Sequence, residues 1–163
     1  MRDPKARPGP DTPAGHMEVP NDGFVSVPLE QRRTTPGILR SRDGYVSVQV
    51  NVDALGDNIV GDAANEPSIA VDPTDPDKMV IGWRQFDTVA SNFRQAGYAY
   101  SHDGGQTWTF PGVLEPGQFR SDPVLAADSL GTFFYYSLSS TTNAEMFIST
   151  DKGLTWTGPI DAF

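Results

Sequence analysis

The side chains most suited to chemistry in this sequence are arginines and carboxylates that recur between residues 45 and 163. This stretch contains only three arginines but fifteen acidic residues. An arginine guanidinium binds a carboxylate or another anion through two parallel hydrogen bonds. Two neighbouring carboxylates can serve as general acid and general base. The candidates for a polar pocket are Glu66, Arg84, Asp87, Arg120 and Asp122, with Glu66 or Asp122 as the acid/base group.

Two of these carboxylates begin segments that repeat along the chain. The stretch 66–72 reads EPSIAVD and aligns with 122–128, which reads DPVLAAD. A second pair of segments, at 101–108 and 149–156, shares the pattern Ser-x-Asp-x-Gly-x-Thr-Trp. Units of about 40–50 residues with four strands each are typical of β-propeller blades. The starts of the inner strands and the loops after the second strands would then line the pocket end of the propeller.

The spacing within each of these octads has a physical reason. We expect the aspartate to accept hydrogen bonds from backbone N–H groups of its own hairpin. The glycine two residues later can adopt a positive φ without steric cost. The threonine opens the next strand, and the tryptophan packs beneath the turn while its indole N–H seeks an acceptor. The octad residues are Ser101, Asp103, Gly105, Thr107 and Trp108, and Ser149, Asp151, Gly153, Thr155 and Trp156.

The elements around these motifs are predicted to be strands. Glycine (16) and proline (14) occur throughout the chain, and no long helical stripe is present, so the predicted fold is all-β. The predicted blade strands are Ser68–Val71, Met79–Trp83, Ala96–Ser101, Thr107–Phe110, Val124–Ala127, Thr132–Leu138, Glu145–Ser149 and Thr155–Gly158.

Composition divides the chain into three parts. Residues 1–21, rich in proline, glycine and charge, are predicted to be a disordered tail. Residues 22–64 form an N-terminal extension with one or more strands, in which 45–52 alternates like a half-buried strand. Residues 65–163 are predicted to form a partial propeller with blades at about 65–113 and 121–163. Two blades cannot close a ring, so we expect a fragment whose open faces drive self-association.

Charge and residue usage exclude several classes of function. The formal net charge is −9, concentrated after residue 44, which argues against nucleic-acid or anionic membrane partners. No cysteine is present, so disulfides, thiolate metal sites and cysteine nucleophiles are excluded. No apolar run is long enough to cross a membrane as a helix. The acidic turn at 72–77 suits either calcium or plain solvation, and we predict no metal site and no cofactor.

The octads resemble the Asp-box, or BNR repeat, of sialidases and related propellers. The stretch 65–73, followed by Ile81–Arg84, is also similar to the first two strands of a blade in bacterial sialidase-like proteins. The resemblance implies a partial sialidase-like propeller whose octads are structural turns at the blade periphery. It also implies a glycan substrate or ligand and a secreted or periplasmic location, although no signal peptide follows the basic residues at the start of this chain.

A sialidase pocket combines an arginine cluster, a Tyr–Glu nucleophile pair and an aspartate acid/base, and its first arginine lies in an Arg-Ile-Pro motif. The corresponding position here is occupied by Glu66, which argues against hydrolysis of sialic acid. Two functions remain open: a glycoside hydrolase, or a non-catalytic platform that binds glycans or proteins. Glu66 and Arg120 could alternatively pair between blades. The strand tyrosines, Tyr98, Tyr100, Tyr135 and Tyr136, are expected in packing rather than catalysis.

Overall fold

A computed structural model of the chain describes residues 22–28 and 31–162. Within these ranges the chain forms twelve strands and no α-helix, so the all-β prediction is confirmed. None of the described elements is a helix long and apolar enough to span a membrane. The predicted tail at 1–21 lies outside the described residues.

The strands of the extension are short and those of the two larger sheets are longer. The extension contains β1 (Thr34–Thr35), β2 (Leu39–Arg42), β3 (Tyr45–Val48) and β4 (Asn58–Ile59). The first large sheet contains β5 (Ala63–Val71), β6 (Met79–Phe86), β7 (Gln95–Ser101) and β8 (Thr109–Leu114). The second contains β9 (Ser121–Ala127), β10 (Phe133–Leu138), β11 (Ala144–Ser149) and β12 (Thr157–Asp161).

Each large sheet is a four-stranded antiparallel meander in which strands adjacent along the chain are neighbours in space. The two sheets pack face to face, and β9 lies against both β5 and β6. This arrangement is that of two consecutive propeller blades, as the repeats predict. We call them the first blade (63–114) and the second blade (121–161).

The interface between the blades is apolar and interleaved. Phe133, Tyr135 and Phe147 of the second blade are almost fully buried, together with Val80 of the first. The absence of a side chain at Gly82 leaves the space that the Tyr135 ring occupies, since a Cβ there would lie 2.4 Å from Tyr135 Cε2. The Tyr135 hydroxyl then donates to the Gly97 carbonyl at 3.1 Å.

The extension covers the opposite flank of the first blade. Its Val52 and Ile59 are buried, and both line a cleft with Trp108 and Phe110 of that blade. The prediction of a half-buried strand over 45–52 is wrong in two respects. The strand ends at Val48, and most of it is exposed, because among the described strands β3 pairs only with β2, in a two-stranded hairpin.

The outward face of the second blade carries apolar side chains in cross-strand rows. One row runs through Val124, Tyr136, Met146 and Ile160, in which the two end residues are exposed. No described element of the chain packs over this face in the way that the second blade covers the first. Self-association through it stays a prediction.

Candidate functional site

The two repeated carboxylates occupy equivalent, unusual backbone positions. Glu66 and Asp122 both have left-handed backbone angles, with φ of 52° and 51°, and each precedes a proline. Both lie in β-bulges of the inner strands, where the pairing of β5 with β6 and of β9 with β10 shifts register. A bulge turns a side chain away from the regular alternation of its strand. The sequence repeat therefore presents one carboxylate per blade at the shared edge of the inner strands.

Arg84 joins these carboxylates. Its Nη2 contacts Glu66 Oε1, and its Nη1 lies 3.7 Å from Asp122 Oδ1. The Arg84 side chain is mostly buried, whereas about half of each carboxylate side chain is exposed (50% and 44%). We call these three residues the rim cluster. It spans both blades, with a buried cation between two solvent-facing anions.

Two neighbouring polar residues position the rim cluster. Arg84 Nε donates to Asn65 Oδ1 at 2.8 Å, and the Ser121 hydroxyl donates to Asp122 Oδ1 at 2.8 Å. Ser121 in turn accepts a hydrogen bond from Arg94 Nε at 3.1 Å and is fully buried. The sequence analysis missed both residues, although each stands immediately before the repeated carboxylate in its own repeat.

The five candidate residues do not share one pocket, and the expected pair of Glu66 with Arg120 does not form. Arg120 is buried and contacts Glu115 and Glu145, with its guanidinium 5.2 Å from the Phe147 ring centre. The charge of Arg120 is thus paired with Glu115 and Glu145 rather than with Glu66, although its Nε and Nη1 are buried without a hydrogen-bond partner among the described residues. Sequence alone did not distinguish which of several carboxylates each arginine would meet.

Asp87 also lies apart from the rim cluster. It forms an ion pair with Arg32 of the extension at 3.2 Å and accepts a hydrogen bond from Gln95 at 3.3 Å. It therefore ties the extension to the first blade, a contact that involves a residue outside the predicted blades.

The two octads occupy equivalent bends, between β7 and β8 and between β11 and β12. Asp103 Oδ1 accepts the backbone N–H of Thr107 at 2.9 Å, and Asp151 Oδ1 accepts that of Thr155 at the same distance. Gly105 has a φ of 83°, as expected for its position. The next strands begin after the octads rather than at their threonines.

These hydrogen bonds hold the octad aspartates in the charged form. Those from the Thr107 hydroxyl and backbone, followed by the one from Ser101, lower the pKa of Asp103 to about 2. Burial opposes ionisation of Asp151, but hydrogen bonds from Thr155 and Ser149 nevertheless lower its pKa. Since each carboxylate is engaged by its own turn, the geometry is that of a structural staple.

The acidic turn at 72–77 is neither solvated throughout nor arranged around a metal. Asp72 is buried, and its Oδ2 accepts a hydrogen bond from Lys152 Nζ at 2.6 Å, across the blade interface. Lys152, and then the Thr74 hydroxyl, lower the pKa of Asp72 to about 2. In the described part of the chain no group of three or more histidine or acidic residues is arranged to hold a metal ion.

Tyr135 and Tyr98 are packing residues. Tyr135 is fully buried, and burial raises the pKa of its hydroxyl; burial also raises that of Tyr98. Such hydroxyls resist deprotonation, which disfavours a nucleophilic role. The Tyr98 ring instead meets Trp156 edge-on, with ring centres 5.6 Å apart.

Comparison with known proteins adds distant structural likenesses. No family model matches the sequence, and no curated protein matches it. The chain is similar to a protein of unknown function from Dyadobacter fermentans DSM 18053, at 18% identity and a TM-score of 0.42, over 62% of this chain and 39% of that one. It is also similar to the Hadza microbial sialidase Hz136, at 17% identity and a TM-score of 0.43, over 74% of this chain and 30% of that one. The matched region spans well under half the length of either neighbour.

Proposed function

We propose that the chain is a sialidase-like, Asp-box propeller module that binds neutral glycans at the rim cluster without cleaving them. The observation that carries this proposal is the bridging of Glu66 and Asp122 by Arg84. Ionised carboxylates are strong hydrogen-bond acceptors for the hydroxyl groups of a sugar. Both are partly exposed and held by buried neighbours, so a ligand would meet acceptors already in position.

The charge of the rim cluster favours a neutral ligand over an acidic sugar. Clamping a carboxylate requires an arginine whose donors are free, yet Arg84 and Arg120 each contact two carboxylates. An acidic sugar at this rim would also approach Glu66 and Asp122, which carry the same charge. The geometry therefore supports the prediction against sialic acid as a substrate.

Binding without cleavage fits the rim cluster better than hydrolysis does. A general acid must carry a proton before it can protonate a leaving group. Glu66 and Asp122 both contact the same guanidinium, that of Arg84, so the geometry does not set either of them apart as the proton donor. The hydrolase remains a second candidate because two carboxylates do share one rim, which is the minimum that glycoside hydrolysis requires.

Titration calorimetry with lactose, cellobiose, maltose and sialyllactose tests the proposal. We expect at least one neutral disaccharide to bind, with sialyllactose binding more weakly than lactose. The double variant Glu66→Gln, Asp122→Asn should lower the affinity about tenfold or more, because it removes two charged acceptors. Asp75→Asn, in an exposed turn, is the matched control. Absence of binding by every neutral sugar, or binding unaffected by the double variant, would contradict the proposal.

The hydrolase candidate has its own test. A panel of aryl glycosides should show no turnover above that of the double variant if the module only binds. Turnover that disappears in Glu66→Gln or in Asp122→Asn would establish hydrolysis instead.

A further inference from the structure

We infer that the glycan site has a second, apolar part: a cleft beside the rim cluster that takes an alkyl or aryl substituent of the ligand. This inference rests on the proposed function, because it concerns a substituent on a sugar bound at Glu66 and Asp122. It narrows the ligand from neutral glycans in general to glycosides that carry an apolar group next to the sugar.

The cleft lies between the extension and the first blade. It has a volume of about 260 Å³ and is lined by Val48, Val50, Ala64, Asn65, Pro67, Ile81 and Trp83. The two valines come from the end of β3 and the segment after it, and the other apolar residues come from β5 and β6. Two separate parts of the chain thus build its walls.

The cleft meets the rim cluster at the bulge in β5 from the opposite face of the first blade, since Ile81 and Trp83 alternate with Gly82 and Arg84 along β6. Asn65 lines the cleft and also accepts the hydrogen bond from Arg84 Nε. Glu66 stands between Asn65 and Pro67, both of which line the cleft. β5 is the edge strand of its sheet and is exposed at 64–67, so a sugar at the Glu66 carboxylate would place a substituent in the cleft by passing across this edge.

The lining selects an apolar group. Apart from Asn65, the lining residues have no polar side-chain atoms other than the indole nitrogen of Trp83. That nitrogen already donates to Gln85 Oε1 at 2.6 Å, so Trp83 offers the cleft only its hydrocarbon surface. A second sugar ring would lose hydrogen bonds to water there, whereas an alkyl or aryl group would gain by burial.

The size of the cleft also favours a small apolar substituent over a whole ligand. Pockets that enclose whole small-molecule ligands are typically about 300–1,000 Å³. The cleft falls below that range, which suits one ring or a short alkyl chain and leaves the sugar itself at the rim.

The experiment compares methyl, butyl and phenyl β-D-galactosides and β-D-glucosides by titration calorimetry on the full chain. We expect the butyl and phenyl glycosides to bind about tenfold more tightly than the methyl glycoside of the same sugar. Val50→Phe fills the cleft, so it should abolish this gain, and the butyl and phenyl glycosides should then bind this variant no more tightly than the methyl glycoside does. Val89→Phe, at an exposed position in a different loop, is the matched control and should keep the gain.

A second readout locates the substituent directly. Methyl NMR signals of Ile81 and Val50 should shift on addition of phenyl glycoside and remain in place with methyl glycoside. Thermal melts of Val50→Phe establish that the variant is folded, and its binding of the methyl glycoside establishes that its rim still functions.

The outcomes separate this inference from the proposed function. Methyl glycosides that bind with no gain from butyl or phenyl groups, or a gain that survives Val50→Phe, would overturn the apolar subsite alone. If phenyl glycosides bind with sensitivity to Val50→Phe but not to the Glu66→Gln, Asp122→Asn variant, the rim cluster is overturned as the sugar site. If no glycoside binds at all, both fail.

Discussion

The two blades contain the same octad pattern, yet the tryptophans of the two octads contact different parts of the molecule. In the first blade Trp108 donates to the Gly105 carbonyl at 3.1 Å and faces the extension across a cleft. In the second, Trp156 lies between Tyr98 and Tyr135 at the blade interface. The position before the glycine differs too: it is Gly104 in the first octad and Lys152 in the second, and both have positive φ.

This difference separates what an octad does within its turn from what it does between blades. In both copies the serine hydroxyl donates to the aspartate, and the aspartate accepts from the backbone and hydroxyl of the threonine, so these residues stabilise the hairpin locally. Lys152, at a variable position of the pattern, reaches Asp72 of the other blade, 80 residues away in sequence. The residues common to both octads thus stabilise the turn, and Lys152, at a position that differs between the octads, forms the contact between the blades.

The largest effect is expected where the blades interleave. In Gly82→Ala, the new methyl group would overlap Tyr135 and would also lie 2.6 Å from Leu125 Cδ1. Overpacking of this kind typically costs about 1–3 kcal/mol, which urea unfolding would measure. Gly23→Ala, where no atom lies within 4 Å of the new methyl, is the control and should change stability by less than about 0.5 kcal/mol. Equal stability of Gly82→Ala and the parent would show that the Tyr135 ring does not occupy this space.

The next largest effect is expected at the ion pair between Lys152 and Asp72, which joins the two blades. Lys152→Met would leave the buried Asp72 carboxylate without its cation, so the melting temperature should fall by several degrees. Lys78→Met provides the comparison, because Lys78 lies 3.9 Å from Asp75 at the surface and such pairs contribute little. If both variants melt alike, Lys152 does not couple the blades.

Acid should weaken both the contact between the blades at Asp72 and the contacts within the octad turn at Asp103. The pKa values of Asp72 and Asp103 are about 2 in the folded chain, below their ordinary value of 3.8. Lowered carboxyl pKa values stabilise the fold above pH 4, and this stabilisation is lost as the pH falls toward 2. Urea unfolding at a series of pH values should show this decline, with a smaller contribution from Asp72 in Lys152→Met, where only the hydrogen bonds from Thr74 still lower its pKa. Stability that stays constant from pH 4 to pH 2 would contradict these assignments.

The smallest effect on stability is expected at the outward face of the second blade. Val124 and Ile160 are exposed, so Val124→Ser with Ile160→Ser should change the free energy of unfolding by less than about 0.5 kcal/mol per site. If this face drives self-association, sedimentation velocity should show concentration-dependent association of the parent and less of it in the variant. A parent that remains monomeric at all concentrations would contradict the predicted self-association.

Much of the blade architecture could be predicted from sequence, because strand alternation and repeated turns are local properties. All eight predicted blade strands occur in the structure. The largest difference in bounds is at β5, which starts at Ala63 rather than at Ser68. Glu66 and Pro67 interrupt the alternation there, since the strand continues through a bulge, and a period-two pattern does not reveal a bulged strand.

The site was less predictable, because it depends on which side chains meet across the blades. The repeat did identify Glu66 and Asp122 as equivalent positions, and both lie in the rim cluster. It did not show that Arg84 would join them or that Arg120 would be enclosed by Glu115 and Glu145. With three arginines and many carboxylates, composition permits several pairings, and only the packing of β5 against β9 selects among them.

The order of the strands also has a consequence for the kinetics of assembly. Within each blade every pairing joins successive strands, so a blade can form from neighbouring hairpins. Contacts between residues close in sequence form fastest. The rim cluster needs both blades in place, so we expect it to mature late and to separate early when the chain unfolds. A ligand that bridges Glu66 and Asp122 would then act as a clamp, slowing the parting of the two halves and raising the temperature at which they come apart.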